Sequence, residues 1–88
     1  MSSNIDQLKK KIIYRSNYRG TKEMDKLLGT FTKKYIDTLK DNDLKDLEKL
    51  LDKDDDCLYN FYKGLKTETI FELNKINKLF KNFKYNNE

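Results

Sequence analysis

The sequence predicts a small all-α fold, a single-domain bundle of five helices. The chain has 88 residues with no proline and three glycines, so few positions interrupt a helix. Apolar residues recur at intervals of three and four through most of the chain, which places them on one face of an α-helix. A domain of this size buries only about 60% of the surface that its unfolded chain exposes. We therefore expect modest stability and no enclosed active-site cavity.

The first two predicted helices meet at Gly20. The first runs from about Asn4 to Tyr18, and Gly20 should end it because a residue without Cβ readily adopts a left-handed conformation. The second begins near Thr21 and contains Gly29, which should cost about 1 kcal/mol relative to alanine. The apolar faces are Ile5, Leu8 and Ile12 in the first helix, and Met24, Leu27, Leu28, Phe31, Tyr35 and Leu39 in the second.

Three further helices follow, and clusters of aspartate open two of them. Asp41-Asn42-Asp43 and Asp54-Asp55-Asp56 supply side chains typical of helix starts, where acidic groups also suit the helix dipole. Gly64 should end the fourth helix, and the last should begin at Thr67 or Glu68. The predicted apolar faces are Leu44, Leu47, Leu50 and Leu51, then Leu58, Phe61, Tyr62 and Leu65, and finally Ile70, Leu73, Ile76, Phe80 and Phe83.

The composition argues against most enzyme chemistry. The chain has no histidine, the commonest general base and metal ligand. Its single cysteine, Cys57, can form no internal disulfide and fits a reducing compartment. The N-terminus lacks a signal-peptide pattern, and no apolar run approaches the roughly 20 residues of a membrane span. We expect an intracellular protein without catalytic residues.

The aspartate run at 52–56 resembles the start of an EF-hand calcium loop, whose first, third and fifth positions are carboxylates. The sixth position should be glycine but is Cys57, and the twelfth should be glutamate but is Lys63. A solvated helix cap is the better interpretation, and no metal site is predicted.

Positive charge leaves a second function open. The net charge is +4, but the 15 acidic residues are interleaved with the lysines, which favours compositional drift over an anionic partner. The last helix nevertheless has a basic face, so a small basic helical nucleic-acid-binding protein is the alternative function. Its aromatic residues are more simply core or tail contacts, and residues 85–88 should fray. The lysines concerned are Lys75, Lys78, Lys81 and Lys84, and the aromatic residues are Phe71, Phe80, Phe83 and Tyr85.

The most informative segment is Arg19-Gly20-Thr21-Lys22-Glu23-Met24-Asp25. Arg15 and Arg19 are the two arginines among 19 basic residues, and both lie at or just before it. A guanidinium can grip a carboxylate or phosphate through two hydrogen bonds, which a lysine does not reproduce. The simpler interpretation is a helix corner in which Arg19 pairs with Glu23. The functional interpretation is a docking surface with an exposed guanidinium.

A family resemblance appears at these residues. The chain carries the pattern Arg19-Gly20-x-x-Glu23-x-Asp25, then an aromatic amphipathic helix, then Leu50-Leu51-Asp52-x-Asp54-Asp55-x-x-Leu58-Tyr59-Asn60-Phe61. In this order and spacing it resembles the SdhE/YgfY family of small flavinylation assembly factors, whose eukaryotic members serve mitochondrial succinate dehydrogenase. The resemblance covers about residues 11–65. It departs from the family at Phe61, where a tryptophan is common, and at Asp56-Cys57, where the family has Pro-Asp.

The resemblance implies an assembly factor, or chaperone, and not an enzyme. It also implies a bacterial cytoplasmic protein, or a mitochondrial matrix protein if a presequence is missing from this chain. Such a protein would bind the flavoprotein subunit of succinate dehydrogenase, or of fumarate reductase, and promote covalent attachment of FAD to a histidine of that client. It would hold no FAD stably, bind no nucleic acid, insert into no membrane, and form a monomer or weak homodimer. The implied client-binding residues are Arg15, Arg19, Gly20, Glu23 and Asp25, with structural support from Leu58, Tyr59, Asn60 and Phe61.

This assignment makes a structural demand on Arg19. Its guanidinium should be exposed on the docking surface, and a guanidinium folded inward and sequestered from solvent would overturn the proposed docking surface. We also expect Arg19→Ala to reduce flavinylation of the client while leaving the helical content nearly unchanged.

Overall fold

The computed structural model describes residues 2–67 and 70–84. No strand occurs in those two ranges, and a short 3₁₀ turn (Ile36–Thr38) follows the second helix. The all-α architecture predicted from the sequence is confirmed. The helices are α1 (Ser2–Asn17), α2 (Lys22–Tyr35), α3 (Asp41–Leu51), α4 (Asp55–Tyr62) and α5 (Lys75–Asn82).

Helices α1 and α2 pack together through the faces predicted for them. Ile12 of α1 is fully buried, and Ile5 and Leu8 pack against the same core. Helix α2 begins directly after Thr21, whose hydroxyl accepts the backbone N–H of Met24 at 3.2 Å. This hydrogen bond satisfies one of the backbone donors that a helix start leaves without a partner.

The side chain of Asn17, at the end of α1, lies directly against Gly29 of α2. A Cβ atom there would lie 2.4 Å from Oδ1 of Asn17. Next to Asn17, the buried Ser16 hydroxyl donates to the carbonyl of Ile12 at 2.7 Å. It also contacts the hydroxyl of Thr32, one turn after Gly29, at 2.6 Å. Because Ser16 has one hydroxyl proton, Thr32 donates the second of these bonds. Gly29 thus makes room for α1, a role that its low helix propensity does not indicate.

The second helix is shorter than its apolar pattern predicts. It ends at Tyr35, the chain tightens into the 3₁₀ turn, and Leu39 adopts an extended conformation (φ −84°, ψ 144°). Leu39 is still buried, at 7% exposure. The pattern therefore predicts its burial correctly but its conformation wrongly.

Helix α3 buries all four of its predicted leucines, and α4 buries one of its two. In α3 the Asp43 carboxylate accepts the backbone N–H of Lys40 at 3.4 Å, so the acidic cluster does help to start the helix. Helix α4 ends before Gly64 (φ 78°), and the N–H of Leu65 returns to the carbonyl of Asn60 at 2.7 Å. Leu65 is outside the helix and 58% exposed, so its placement on the buried face is wrong. The buried leucines are Leu44, Leu47, Leu50, Leu51 and Leu58.

The last helix begins later than predicted. Helix α5 starts at Lys75, because the side chain of Asn74 accepts the backbone N–H of Asn77 at 2.8 Å and caps the helix there. Ile70 and Leu73 lie before it and are 88% and 91% exposed, so their assignment to the buried face is wrong. The predicted start at Glu68 and the predicted fraying of 85–88 lie outside the described residues.

Helix α5 closes the core through its aromatic residues. Phe80 is fully buried and Phe83 is 6% exposed. Both rings meet the Phe31 ring of α2 edge to face, each with a centroid separation of 5.3 Å. In the part of the chain that the structure describes, no helix is long and apolar enough to cross a membrane.

Candidate functional site

The guanidinium of Arg19 lies inside the fold. Its side chain is 11% exposed, and Nε donates to Oδ1 of Asp55 at 2.9 Å. Nη1 donates to the carbonyl of Leu51 at 2.7 Å, and Nη2 donates to the carbonyl of Lys53 at 2.8 Å. Arg19 therefore fastens the corner between α1 and α2 to the turn between α3 and α4.

This geometry contradicts the expectation of an exposed guanidinium. It also differs from the simpler interpretation, since Arg19 pairs with Asp55 and not with Glu23. The carbonyls that it binds lie at and just after the end of α3, where backbone acceptors lack partners within the helix. A client could bind the Arg19 fork directly only if the side chain first left three partners. Client binding by Arg19 stays a prediction, but its observed role is to hold the corner.

The corner itself presents a bare backbone. Gly20 has φ 117°, a conformation that favours glycine, and a Cβ atom there would meet nothing within 4 Å. The Asp25 carboxylate accepts the backbone N–H of Arg19, which fixes the chain on one side of the glycine. Helix α1 ends at Asn17, so Gly20 follows the helix end at a distance instead of terminating it directly.

Arg15 belongs to the same junction but is more exposed. Its Nη2 donates to Oδ1 of Asp52 at 2.5 Å, with side chains 28% and 63% exposed. The two arginines thus use two carboxylates of the run that resembles a calcium loop. Across residues 2–67 and 70–84, no group of three or more metal-binding side chains converges.

Next to this corner, an open groove runs between α2 and α4. Glu23, exposed in the first turn of α2, and the half-buried Tyr59 of α4 are the residues that line both halves of it. One half of the groove has a volume of about 460 Å³ and the other about 510 Å³. The fold therefore brings the Arg-Gly segment and the later aromatic segment onto one surface. The remaining lining residues are Lys22, Lys26, Leu27, Tyr62 and Lys63 in the first half, and Thr21, Met24, Asp55, Asp56 and Asn60 in the second.

Comparison with known proteins identifies the family. The family model described as flavinator of succinate dehydrogenase matches residues 10–84. The chain belongs to this family. The match includes the corner, the groove and all of α2 to α5.

Curated relatives agree with the assignment to the flavinator family. The chain is 39% identical over 59 residues to succinate dehydrogenase assembly factor 2, mitochondrial, of Dictyostelium discoideum, which covers 67% of the chain and 42% of that protein. It is 41% identical over 51 residues to the protein of the same name in Meyerozyma guilliermondii, which covers 58% of the chain and 38% of that protein. The chain thus spans about two-fifths of the length of these relatives. No solved structure gives a significant match.

The aromatic segment of this flavinator-family chain divides between core and groove. Leu58 is fully buried, and the ring of Phe61 stacks on that of Phe71 with centroids 4.1 Å apart. Tyr59 and Asn60 instead line the groove. Two of the four residues predicted as structural support therefore also contribute surface beside the corner.

Sequence reasoning missed the lysines of the groove. Lys22 and Lys26 are four residues apart, a spacing that indicates a shared helix face. Lys63, directly after α4, joins them, and its Nζ lies 5.4 Å from the centroid of the Tyr59 ring. The i, i+4 spacing of Lys22 and Lys26 could have indicated their shared face from the sequence. The position of Lys63 beside them depends on tertiary packing and could not.

Proposed function

We propose that this chain binds the flavoprotein subunit of succinate dehydrogenase and promotes the covalent attachment of FAD to it. The observation that carries this proposal is the flavinator-family match over residues 10–84. The curated relatives are named succinate dehydrogenase assembly factors, which supports the same client. The chain would act as a helper of an enzyme subunit and not as an enzyme, in keeping with its lack of histidine.

The mechanism requires no catalytic group on this chain. FAD supplies the electron-accepting ring, so attachment depends on aligning that ring with a nucleophilic histidine of the client. A helper that binds the aligned client conformation more tightly shifts the client population toward it. A preference of about 1.4 kcal/mol raises the ratio of competent to incompetent client tenfold.

The proposed docking surface is the corner with its neighbouring groove. Gly20 would let the client backbone approach closely, and the exposed Glu23 carboxylate beside it would accept client hydrogen bonds. Arg19, Asp25 and Arg15 would contribute by holding the corner rigid, since their observed contacts lie within the chain. A rigid surface loses less conformational entropy on binding than a mobile one.

The proposal extends to three further properties. A fumarate reductase flavoprotein is a second client, because it would present the same kind of subunit. FAD is held by the client, and this chain acts as a monomer or weak homodimer without a stably bound cofactor. Its compartment is that of the client, which is the mitochondrion for relatives named as mitochondrial and the cytoplasm in a bacterium.

Co-expression with the client flavoprotein tests the function. In cells that lack their own flavinator, the chain should increase covalent flavin fluorescence of the client on a denaturing gel. If the wild-type chain produces no increase, the function is refuted. If the purified chain instead retains nucleic acid, with an affinity that falls steeply with salt, the nucleic-acid-binding alternative is favoured.

Glu23→Gln tests the docking surface within that assay. It removes one carboxylate without changing side-chain size, and we expect about tenfold less flavinylated client at limiting expression, equivalent to one charged hydrogen bond. Asp41→Asn is the matched control, because it also removes an exposed carboxylate from the first turn of a helix, α3. Equal flavinylation by the two variants would show that Glu23 does not contact the client.

A further inference from the structure

We propose that the groove between α2 and α4 is a bipolar docking site for one segment of the client protein. That segment would carry carboxylates at one end and basic side chains at the other, on either side of Tyr59. The inference rests on the proposed function and adds the chemistry of the client surface that this chain recognises.

The basic half of the groove is formed by three lysines from two segments of the chain. Lys22 and Lys26 come from α2, and Lys63 follows α4. All three are exposed, and none forms an ion pair with another residue of 2–67 or 70–84. Absence of an ion pair does not by itself distinguish them, since Lys11 and Lys75 are the lysines that form one within 2–67 and 70–84. Their distinction is convergence: three lysines and the single carboxylate of Glu23 line one concave surface, which leaves a net positive charge that attracts carboxylates.

The acidic half lies at the opposite end. Asp55 and Asp56 line it together with Glu23, which stands on the boundary between the halves. One oxygen of Asp55 already accepts from Arg19, whereas Asp56 is exposed. This half therefore has acidic groups available to a basic side chain of a partner.

The opposed charges determine what the groove can accept. A ligand with negative charge throughout, such as a dinucleotide or a nucleic acid strand, would be attracted at one end and repelled at the other. A polypeptide segment can place acidic and basic side chains at separate positions and satisfy both ends. Complementary charge at two ends also fixes the register and direction of the bound segment. Tyr59, common to both halves, provides an apolar ring between them.

Paired charge reversals test the inference with the purified client flavoprotein subunit. Lys26→Glu with Lys63→Glu should weaken binding of the client at low salt about tenfold. The control is Lys33→Glu with Lys45→Glu, which also takes the net charge from +4 to 0 and also changes one lysine within a helix and one near a helix end. The control should weaken binding less than about twofold, as expected for exposed charges outside an interface.

Reversal of the acidic half separates a bipolar groove from general attraction. Glu23→Lys with Asp56→Lys raises the net charge from +4 to +8. A bipolar groove predicts that this variant also binds the client about tenfold more weakly. General attraction to an acidic client predicts tighter binding, and that result would overturn the inference.

Two further outcomes and a folding control complete the test. Wild-type affinity in the lysine pair would overturn the inference while the proposed function stands, provided that the wild-type chain flavinylates the client. Binding of FAD alone to the wild-type chain, lost in the lysine pair, would overturn the inference by showing that the groove takes the dinucleotide instead. Circular dichroism melting of each variant verifies folding. If the lysine pair fails to fold, the single change Lys26→Glu replaces it, with an expected loss of about threefold, and Asp56→Lys likewise replaces the acidic pair.

Discussion

Arg19 makes three side-chain hydrogen bonds to residues that lie 32 to 36 positions later in the chain. The guanidinium carries its N–H donors on three nitrogens in one rigid plane, so it can reach three separate acceptors at once. The lysine ammonium has a single nitrogen and does not reproduce this spread. This explains an arginine at position 19 in a chain whose positive charge, apart from Arg15, comes from lysine. The sequence indicates that Arg19 is unusual, but two of its partners are backbone carbonyls, which leave no mark in a sequence. Its inward direction was therefore not predictable.

Arg19→Lys should lower the free energy of unfolding by about 2 kcal/mol. A lysine leaves at least two of the three acceptors without their charged donor, and the site is nearly buried. Urea unfolding followed by circular dichroism measures the change. Arg15→Lys is the control and should cost less than about 1 kcal/mol, because its ion pair with Asp52 is partly exposed. Equal losses in the two variants would contradict the role of the Arg19 hydrogen bonds in holding the corner.

The hydrogen bonds of Arg19 within the chain also change how the Arg19→Ala variant is interpreted. The sequence alone predicts lost flavinylation with unchanged helical content, whereas the observed hydrogen bonds predict lost stability as well. Reduced flavinylation by that variant would not prove a client contact. Glu23, which is exposed, is the more direct probe.

At the scale of helices, spacing predicts burial better than it predicts helix ends. The leucine spacing of α3 is confirmed residue for residue, because each leucine meets the core. Leu73 also fits a helical repeat, but the cap at Asn74 starts α5 after it. Leu39 fits the repeat of α2, although a 3₁₀ turn intervenes. A periodic pattern records which residues could share a face, and competing caps decide whether they do.

Gly29 gives a test of helix packing. In an Asn17→Ala background, Gly29→Ala should raise the free energy of unfolding by about 1 kcal/mol, because the gain in helix propensity is no longer opposed by a clash. In the wild-type background the same change should gain less, since the Asn17 side chain must move and give up its 2.7 Å hydrogen bond to the carbonyl of Ile13. Urea unfolding of the four proteins measures the coupling. Identical gains in both backgrounds would show that the approach of Asn17 has no energetic effect.

At the scale of the whole molecule, a short last helix completes the core. Its fully buried Phe80 ring packs against Phe31 of α2 and, at 5.3 Å between centroids, against Tyr62 of α4. The bundle therefore depends on residues near the end of the chain. A domain of 88 residues has a small free energy of unfolding, so one buried aromatic side chain contributes a large share of it.

Phe80→Ala should destabilise the protein by about 3–5 kcal/mol, since it empties a fully buried aromatic site. Thermal unfolding followed by circular dichroism measures the loss. Leu73→Ala is the matched comparison, because the sequence places both residues on one apolar face whereas the structure leaves Leu73 91% exposed. It should change stability by less than about 0.5 kcal/mol. A large loss of stability in Leu73→Ala would instead support the longer last helix that the sequence predicts.

The long sequence separation of the Arg19 contacts has a consequence during synthesis. A chain growing on the ribosome can form α1, α2 and the bend at Gly20 early, but the acceptors of the guanidinium emerge only with the end of α3 and the start of α4. Until then the bend is held only by contacts within α1 and α2, such as the backbone N–H of Arg19 bound to the Asp25 carboxylate and the Ser16–Thr32 hydrogen bond. A copy that stops before α4 therefore lacks the guanidinium contacts, and the bend gains this second fastening only once Asp55 has emerged.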